Sequence, residues 1–357
     1  MANIRVLVVE DSTTVRRHLC QVLAADRGFD IVGEAADGKQ AIGLCCALRP
    51  DVVTMDMMMP VMSGLGATEY IMAHCPTPIL VVSSSTNRGE LFKTYEALAA
   101  GALDVLEKPS GREAGDGWER KFIATLRLIS RIRVITHPRA RLRTLGRAEV
   151  EPMVQTSPPD RRRCRVVAIG ASTGGPSAVV EVLRALPSSF PLPLLLVLHI
   201  AEPFGAAFAD WLDGQTAHRV SYARDGELVS ARAGQVMMAP SESHLVVRGG
   251  RAHLTLDAAR HSCRPSVDVL FESIAREYGG ASAACLLTGM GCDGASGLLA
   301  VRRAGGFTIA QDEATSVVYG MPREAALLGA AGSVLPLDEI GPTLSALARR
   351  LPESRGV

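Results

Sequence analysis

The chain has 357 residues, enough for two domains at about 100–200 residues each. Its 38 basic and 37 acidic side chains leave a formal net charge of +1, and 47% of its residues are hydrophobic. That balance excludes a disordered chain and argues against global polyanion binding. Only four of the cations are lysines (Lys39, Lys93, Lys108 and Lys121), so a lysine in a distinctive setting stands out. The eight cysteines include no CxxC pair, and Cys45 and Cys46 are adjacent. Disulfide scaffolding and a zinc site are therefore not expected, and reduced thiols in a cytoplasm are. The start lacks the basic head and long apolar core of a signal peptide. No apolar run approaches the ~20 residues that cross a bilayer, Leu192–Ile200 being the densest. A soluble, cytoplasmic chain without membrane insertion is the expectation.

Short apolar runs at Val6–Val9, Ile31–Ala35, Val52–Met55, Ile79–Val82 and Asp104–Leu106 predict five strands. Between the first two, Val15, Leu19, Val22 and Leu23 recur at helical spacing and predict one apolar helix face. Strands alternating with helices describe a parallel sheet covered on both faces, with functional groups gathered beyond the carboxyl ends of the strands. From Ile135 to Arg163 the periodicity fails amid arginines, interspersed acids and Thr156-Ser-Pro-Pro. We read residues 131–163 as an Arg-rich, solvated linker between domains at 1–130 and 164–350. No aromatics interleave with its arginines, so nucleic-acid binding is not expected.

The second half alternates again: strand Val166–Ile169, helix Ser177–Leu186 and strand Leu194–Leu198. A Gly-punctuated β-rich stretch follows near Gly226–Leu256, then helix Val267–Tyr278, strand Ala283–Leu287 and helix Gly297–Ala304. The fold class is α/β, with two doubly wound parallel-sheet domains and a β-rich excursion in the second.

Chemistry concentrates at the predicted strand ends. Glu10 and Asp11 close the first strand, Asp56 the third, Ser83 the fourth, and Lys108-Pro109 follows the fifth. Three carboxylates on one edge suit a hard divalent cation such as Mg²⁺, which prefers oxygen ligands. One of them can act as a nucleophile towards a phosphoryl donor. Each acid could instead cap a helix, but five groups of matching chemistry at five strand ends weigh against that. The segments Val-Val-Glu-Asp-Ser, Met-Asp-Met-Met-Met-Pro, Val-Val-Ser-Ser-Ser and Glu-Lys-Pro resemble the receiver domain of two-component response regulators. The resemblance implies a flavodoxin-like fold and phosphorylation of Asp56 by a histidine kinase. It also implies Mg²⁺ held by Glu10, Asp11, Asp56 and the Met58 backbone carbonyl, and phosphate sensing by Ser83 and Lys108. Receivers place an aromatic residue three positions before the lysine; this chain has Val105.

The strand at Val166 runs into Gly170-Ala-Ser172-Thr-Gly-Gly-Pro176 and a helix. A serine on such a turn is held up for attack, and the helix N-terminus favours developing negative charge. A glycine turn at a helix start also cradles phosphates, so this motif by itself leaves both readings open. A serine nucleophile needs a base and an orienting acid. His199 ends the neighbouring predicted strand, and Asp293 lies in Leu286-Leu-Thr-Gly-Met-Gly-Cys-Asp-Gly after another.

Those motifs, with Arg264-Pro-Ser-Val-Asp-Val-Leu-Phe and Tyr319-Gly-Met-Pro, resemble the chemotaxis protein-glutamate methylesterases over residues 164 to about 345. The resemblance implies a Rossmann-like catalytic domain with Ser172, His199 and Asp293 as triad. Backbone N–H groups of Thr173 and Met290 would form the oxyanion hole, and the esterase would need no cofactor. It further implies a phosphorylation-activated enzyme that demethylates glutamate methyl esters, and deamidates glutamines, on methyl-accepting chemotaxis receptors. A monomer partnered by those receptors and a kinase is expected. The competing reading is a non-enzymatic response regulator with a binding output domain.

Overall fold

The computed structural model describes residues 3–84, 88–109, 116–132, 134, 164–200, 204–205 and 207–349. It comprises two compact units, Met1–Glu151 and Pro152–Val357. Apart from 131, 132 and 134, the expected linker at 131–163 lies outside the described residues.

Among the described residues of the first unit, five strands alternate with five helices. They run β1 (Ile4–Val9), α1 (Thr13–Ala25), β2 (Phe29–Ala35), α2 (Gly38–Leu48), β3 (Val52–Met55), α3 (Gly64–His74), β4 (Ile79–Ser83), α4 (Arg88–Ala99), β5 (Asp104–Glu107) and α5 (Asp116–Ile129). Every pairing is parallel, in the order β2-β1-β3-β4-β5, which is the flavodoxin-like arrangement. Val6, Leu7, Val8 and Val9 are at most 1% exposed, so this strand reads as a continuous apolar run because both its faces are covered. Helix starts follow local chemistry: the hydroxyl of Ser12 and the carboxylate of Asp37 accept the backbone N–H groups of Val15 and Gln40. Leu19, Val22 and Leu23 bury the predicted face of α1, and Val15 is half-buried.

One expectation is corrected here. Cys46 on α2 and Cys75 at the end of α3 form a disulfide, where reduced thiols were expected. Successive helix residues point about 100° apart, so Cys45 is buried while its neighbour turns towards α3. Adjacency in sequence hides that difference.

The described part of the second unit opens with β6 (Val166–Ala171), α6 (Gly175–Ala185), β7 (Leu194–Leu198), α7 (Phe208–Asp213), β8 (Val220–Tyr222) and β9 (Val236–Met238). A hairpin of β10 (His244–Arg248) and β11 (Arg251–Thr255) precedes α8 (Val267–Tyr278) and β12 (Ser282–Leu286). The chain continues through α9 (Ala295–Arg303), β13 (Phe307–Gln311), α10 (Met321–Leu327), β14 (Ser333–Leu335) and α11 (Leu337–Arg349). The seven-stranded sheet has the order β14-β13-β12-β6-β7-β9-β8, parallel throughout. Strand β6 lies between β12 and β7, where the strand order reverses; such a switch point opens a crevice beyond the carboxyl ends. Val166 and Ala168 join a core with Leu195, Val197, Leu270, Phe271 and Leu298, while the alternate residues Val167 and Ile169 are equally buried on the opposite face. No helix among the described residues is long and apolar enough to cross a membrane.

The first sheet carries a packing constraint at Gly64, the first residue of α3. A Cβ there would stand 1.9 Å from the Asp56 carbonyl oxygen and 2.7 Å from the Met57 Cε atom. Backbone overlap has no rotamer escape. Gly64→Ala therefore lowers stability by at least about 1–3 kcal/mol, the usual cost of overpacking, read as an earlier urea midpoint of the first unit's transition.

Candidate active site and phosphoryl site

Parallel register builds the second unit's site. Leu286 pairs with Gly170, and Ala171 with Leu198, so β12, β6 and β7 end side by side. Backbone bonds then extend the pairing past the strands: Leu287 N–H donates to Gly170 at 2.8 Å, Ser172 N–H to Thr288 at 3.0 Å, and His199 N–H to Ala171 at 3.0 Å. Ser172 thus leaves β6 flanked by the loop carrying His199 and the loop leading to Asp293. Gly174 caps α6 at φ 75°, a conformation that favours glycine, and Pro176 sits in the first turn, where its missing N–H is harmless. Gly289 lies against Ser172: a Cβ there would come within 2.8 Å of the serine's Cβ.

His199 Nε2 lies 3.0 Å from Asp293 Oδ2. Asp293 is 2% exposed, and its carboxylate also accepts the Ser266 hydroxyl at 2.7 Å, Val267 N–H at 2.7 Å and Asp268 N–H at 3.1 Å. Ser266 is the N-cap of α8, so the carboxylate sits on that helix's N-terminus. Burial by itself would raise the Asp293 pKa; the bonds from His199, Ser266 and Val267 outweigh it and hold the carboxyl below its ordinary range. Burial likewise disfavours charge on His199, but the bonds to Asp293 and Cys263 lift its pKa to about 9.

The ring nitrogen not engaged by Asp293 is Nδ1, which faces Cys263 Sγ at 3.8 Å. Among the described residues, no hydrogen bond joins the Ser172 hydroxyl to His199. The backbone N–H groups of Thr173 and Met290 have no acceptor among the described residues.

Sequence reasoning missed several supports. Thr288 donates its hydroxyl to the Thr173 carbonyl at 3.0 Å, and its N–H is held by Gln311 Oε1 at 2.8 Å. His244 Nδ1 accepts Ser266 N–H at 3.1 Å. Ser266 could have been found from its place just before the apolar pattern of α8. Gln311 and His244 carry no local signal, because their partners lie over 20 residues away in the chain.

In the first unit the same register logic brings Glu10, Asp56 and Lys108 together. Val9 pairs with Met55 and Ser83 with Glu107, so the next residues share one edge. Lys108 Nζ lies 3.0 Å from Asp56 Oδ1 and donates to Glu10 Oε1 at 3.1 Å. Asp11 is exposed, and its carboxylate lies with those of Glu10 and Asp56 inside a 4.8 Å cluster. Burial, reinforced by Asp56, raises Glu10 to about pKa 7. Burial also raises Asp56 despite Lys108, and Asp56 Oδ2 is buried without a hydrogen-bond partner. Ser83 Oγ turns to the Ser84 carbonyl at 3.3 Å and is not joined to Asp56. Met58 is exposed, with its sulfur 3.4 Å from Lys93 Nζ.

A family model for the CheB methylesterase matches residues 167–344, and one for the response regulator receiver domain matches residues 6–115. The chain is 45% identical, over 97% of its length and 97% of the relative's, to protein-glutamate methylesterase/protein-glutamine glutaminase 2 of Anaeromyxobacter dehalogenans (strain 2CP-C). It is 42% identical to the corresponding protein of Nitrosospira multiformis (strain ATCC 25196 / NCIMB 11849 / C 71), covering 99% of both chains. The crystal structure of the Thermotoga maritima CheB methylesterase catalytic domain aligns with TM-score 0.49 and 36% identity, over 52% of this chain and all of that one. With its two motif sets on two parallel-sheet units, the chain belongs to the protein-glutamate methylesterase/protein-glutamine glutaminase family.

Proposed function

We propose that the protein is a serine esterase under phosphorylation control. It removes methyl groups from glutamate methyl esters on the cytoplasmic helices of methyl-accepting chemotaxis receptors, and deamidates glutamines there. The observation that carries this reading is the half-buried His199 bound to the buried Asp293 carboxylate on the sheet edge where β6 runs into Ser172, in a chain of this family. The relatives carry enzyme names, which favours an esterase over a binding output domain.

Ser172 Oγ attacks the ester carbonyl while His199 Nδ1 takes its proton, Asp293 fixing the ring through Nε2. The carbonyl oxygen becomes an oxyanion that accepts hydrogen bonds from the backbone N–H groups of Thr173 and Met290. Methanol leaves with the proton returned by His199; water then enters by the same route, freeing glutamate and Ser172. With glutamine the leaving group is ammonia.

In the first unit an Asp56 oxygen attacks phosphorus of a phosphohistidine on a kinase, and the histidine leaves. Glu10, Asp11, Asp56 and the Met58 carbonyl would hold Mg²⁺; the unpartnered buried Asp56 Oδ2 and the oxygen-only donor set fit that ion. Such a cation offsets the packed carboxylates and the phosphoryl charge. Lys108, now paired with Asp56, would hold a phosphoryl oxygen, and Ser83 would sense it after its hydroxyl turns from Ser84. We assign 1–130 to the receiver, 131–163 to the linker and 164–350 to the esterase, in a cytoplasmic monomer.

Ser172→Ala lowers kcat for methanol release from methylated receptors by about 10⁴-fold or more, with an unchanged circular dichroism spectrum. Near-normal release would assign the nucleophile elsewhere. Because His199 must be neutral to accept a proton, kcat/KM climbs as pH rises through neutrality towards about 9, well above the ordinary histidine range. The same raised pKa stabilises the fold fully below the unfolded value near 6.5 and loses that contribution as pH rises through about 9. A profile that levels off by pH 7 contradicts this. Asp56→Asn abolishes the acid-stable, base-labile label from a small phosphodonor with Mg²⁺ while leaving unstimulated methanol release measurable. Undiminished labelling would make another carboxylate the acceptor.

A further inference from the structure

The rim of the esterase site contains chemistry that ester hydrolysis does not use. Cys263 ends a turn closed by paired backbone bonds, Arg260 N–H to Cys263 at 3.1 Å and Cys263 N–H to Arg260 at 2.8 Å. Its central residues, His261 and Ser262, have φ of 50° and 62°. Two left-handed residues make a tight turn that normally selects Asn and Gly, so His and Ser hold an unfavourable backbone there. The turn presents His261 and Cys263 towards two further groups, His199 and Cys292.

The resulting contacts repeat one pattern. His199 has Nε2 on the buried Asp293 carboxylate at 3.0 Å and Nδ1 3.8 Å from Cys263 Sγ. His261 has Nε2 on the buried Asp268 carboxylate at 3.1 Å and Nδ1 3.5 Å from Cys292 Sγ. An imidazole oriented by a carboxylate through one nitrogen, with the other turned to a soft donor, is the usual arrangement of a metal-ligating histidine. With Zn–N of about 2.0–2.1 Å and Zn–S of about 2.3 Å, a tetrahedral ion spans an N···S separation of about 3.6 Å. The two observed separations bracket that value. The ligand atoms of His199, Cys263 and Asp293 also lie within 4.8 Å of one another, as do those of His261, Asp268 and Asp293.

We propose that these two Cys–His pairs bind zinc, with His199 Nδ1 and Cys263 Sγ as the inner pair and His261 Nδ1 and Cys292 Sγ as the outer. Binding displaces the thiol protons to solvent. Metal on the inner pair takes the nitrogen that receives the Ser172 proton, so zinc occupancy and turnover exclude each other. Mg²⁺ prefers oxygen donors and does not compete here. The inhibition rests on the proposed esterase activity; the metal binding does not.

The test titrates metal-free, full-length protein with Co²⁺, a spectroscopic stand-in for zinc, and follows the thiolate-to-cobalt charge-transfer band. In parallel, methanol release is measured with Zn²⁺ in excess Mg²⁺, each variant against its own metal-free rate. The wild type gives the band and zinc inhibition reversed by a chelator. Ser172→Ala keeps the band without turnover, so a band in wild type with no turnover would retain the site and discard the esterase. Cys263→Ser loses most of the band and needs at least about tenfold more zinc for inhibition. Cys292 is exposed, so Cys292→Ser tests the outer pair in a folded protein and weakens the band. No band in folded wild type, or a band and inhibition unchanged in these variants, would overturn the proposal.

Discussion

A carboxylate taken out of water must be met by donors or cations, and the two sites meet that demand in opposite ways. Asp293 receives the Ser266 hydroxyl, two backbone N–H groups at the start of α8, and His199, and stays readily ionised. Asp56 has Lys108 on one oxygen and nothing on the other, and its pKa rises. The first carboxylate is therefore fixed as an orienting group. The second is left incomplete, which suits a residue that takes up a cation and a phosphoryl group.

Both arrangements depend on parallel pairing. Strands that run the same way and end in register deliver whatever follows them to one edge, so residues far apart in the chain meet without long loops. In the second unit the central position of β6 matters most, because its two neighbours bring His199 and the Asp293 loop to Ser172 from opposite sides. The α8 helix then contributes more than apolar burial: its capped start supplies the donors that hold Asp293.

The cysteines show where sequence spacing misleads. No CxxC spacing exists, yet Cys46 bridges to Cys75, and Cys263 and Cys292 each face a histidine. Metal and disulfide rules read from local spacing apply where one loop supplies several ligands. Here each pair draws on two separate segments, 29 residues apart in the disulfide, 64 in His199–Cys263 and 31 in His261–Cys292.

The strand cores, the apolar face of α1, and the strand-end residues Glu10, Asp56, Ser172 and His199 were all legible in the sequence. They depend on local periodicity and on residue chemistry next to a strand terminus, which the chain states within a few residues. Short strands such as Val220–Tyr222 and Ser333–Leu335, and the helix Leu337–Arg349 with Pro342 inside it, were not. Their local signals are weak, and pairing or packing against distant segments decides them. The same holds within the site. Which nitrogen of His199 meets Asp293, which groups hold Asp293, and that the other nitrogen faces Cys263 are settled only when four chain segments converge. A ring nitrogen's partner is a matter of ångströms in three dimensions, and no spacing along a chain encodes it.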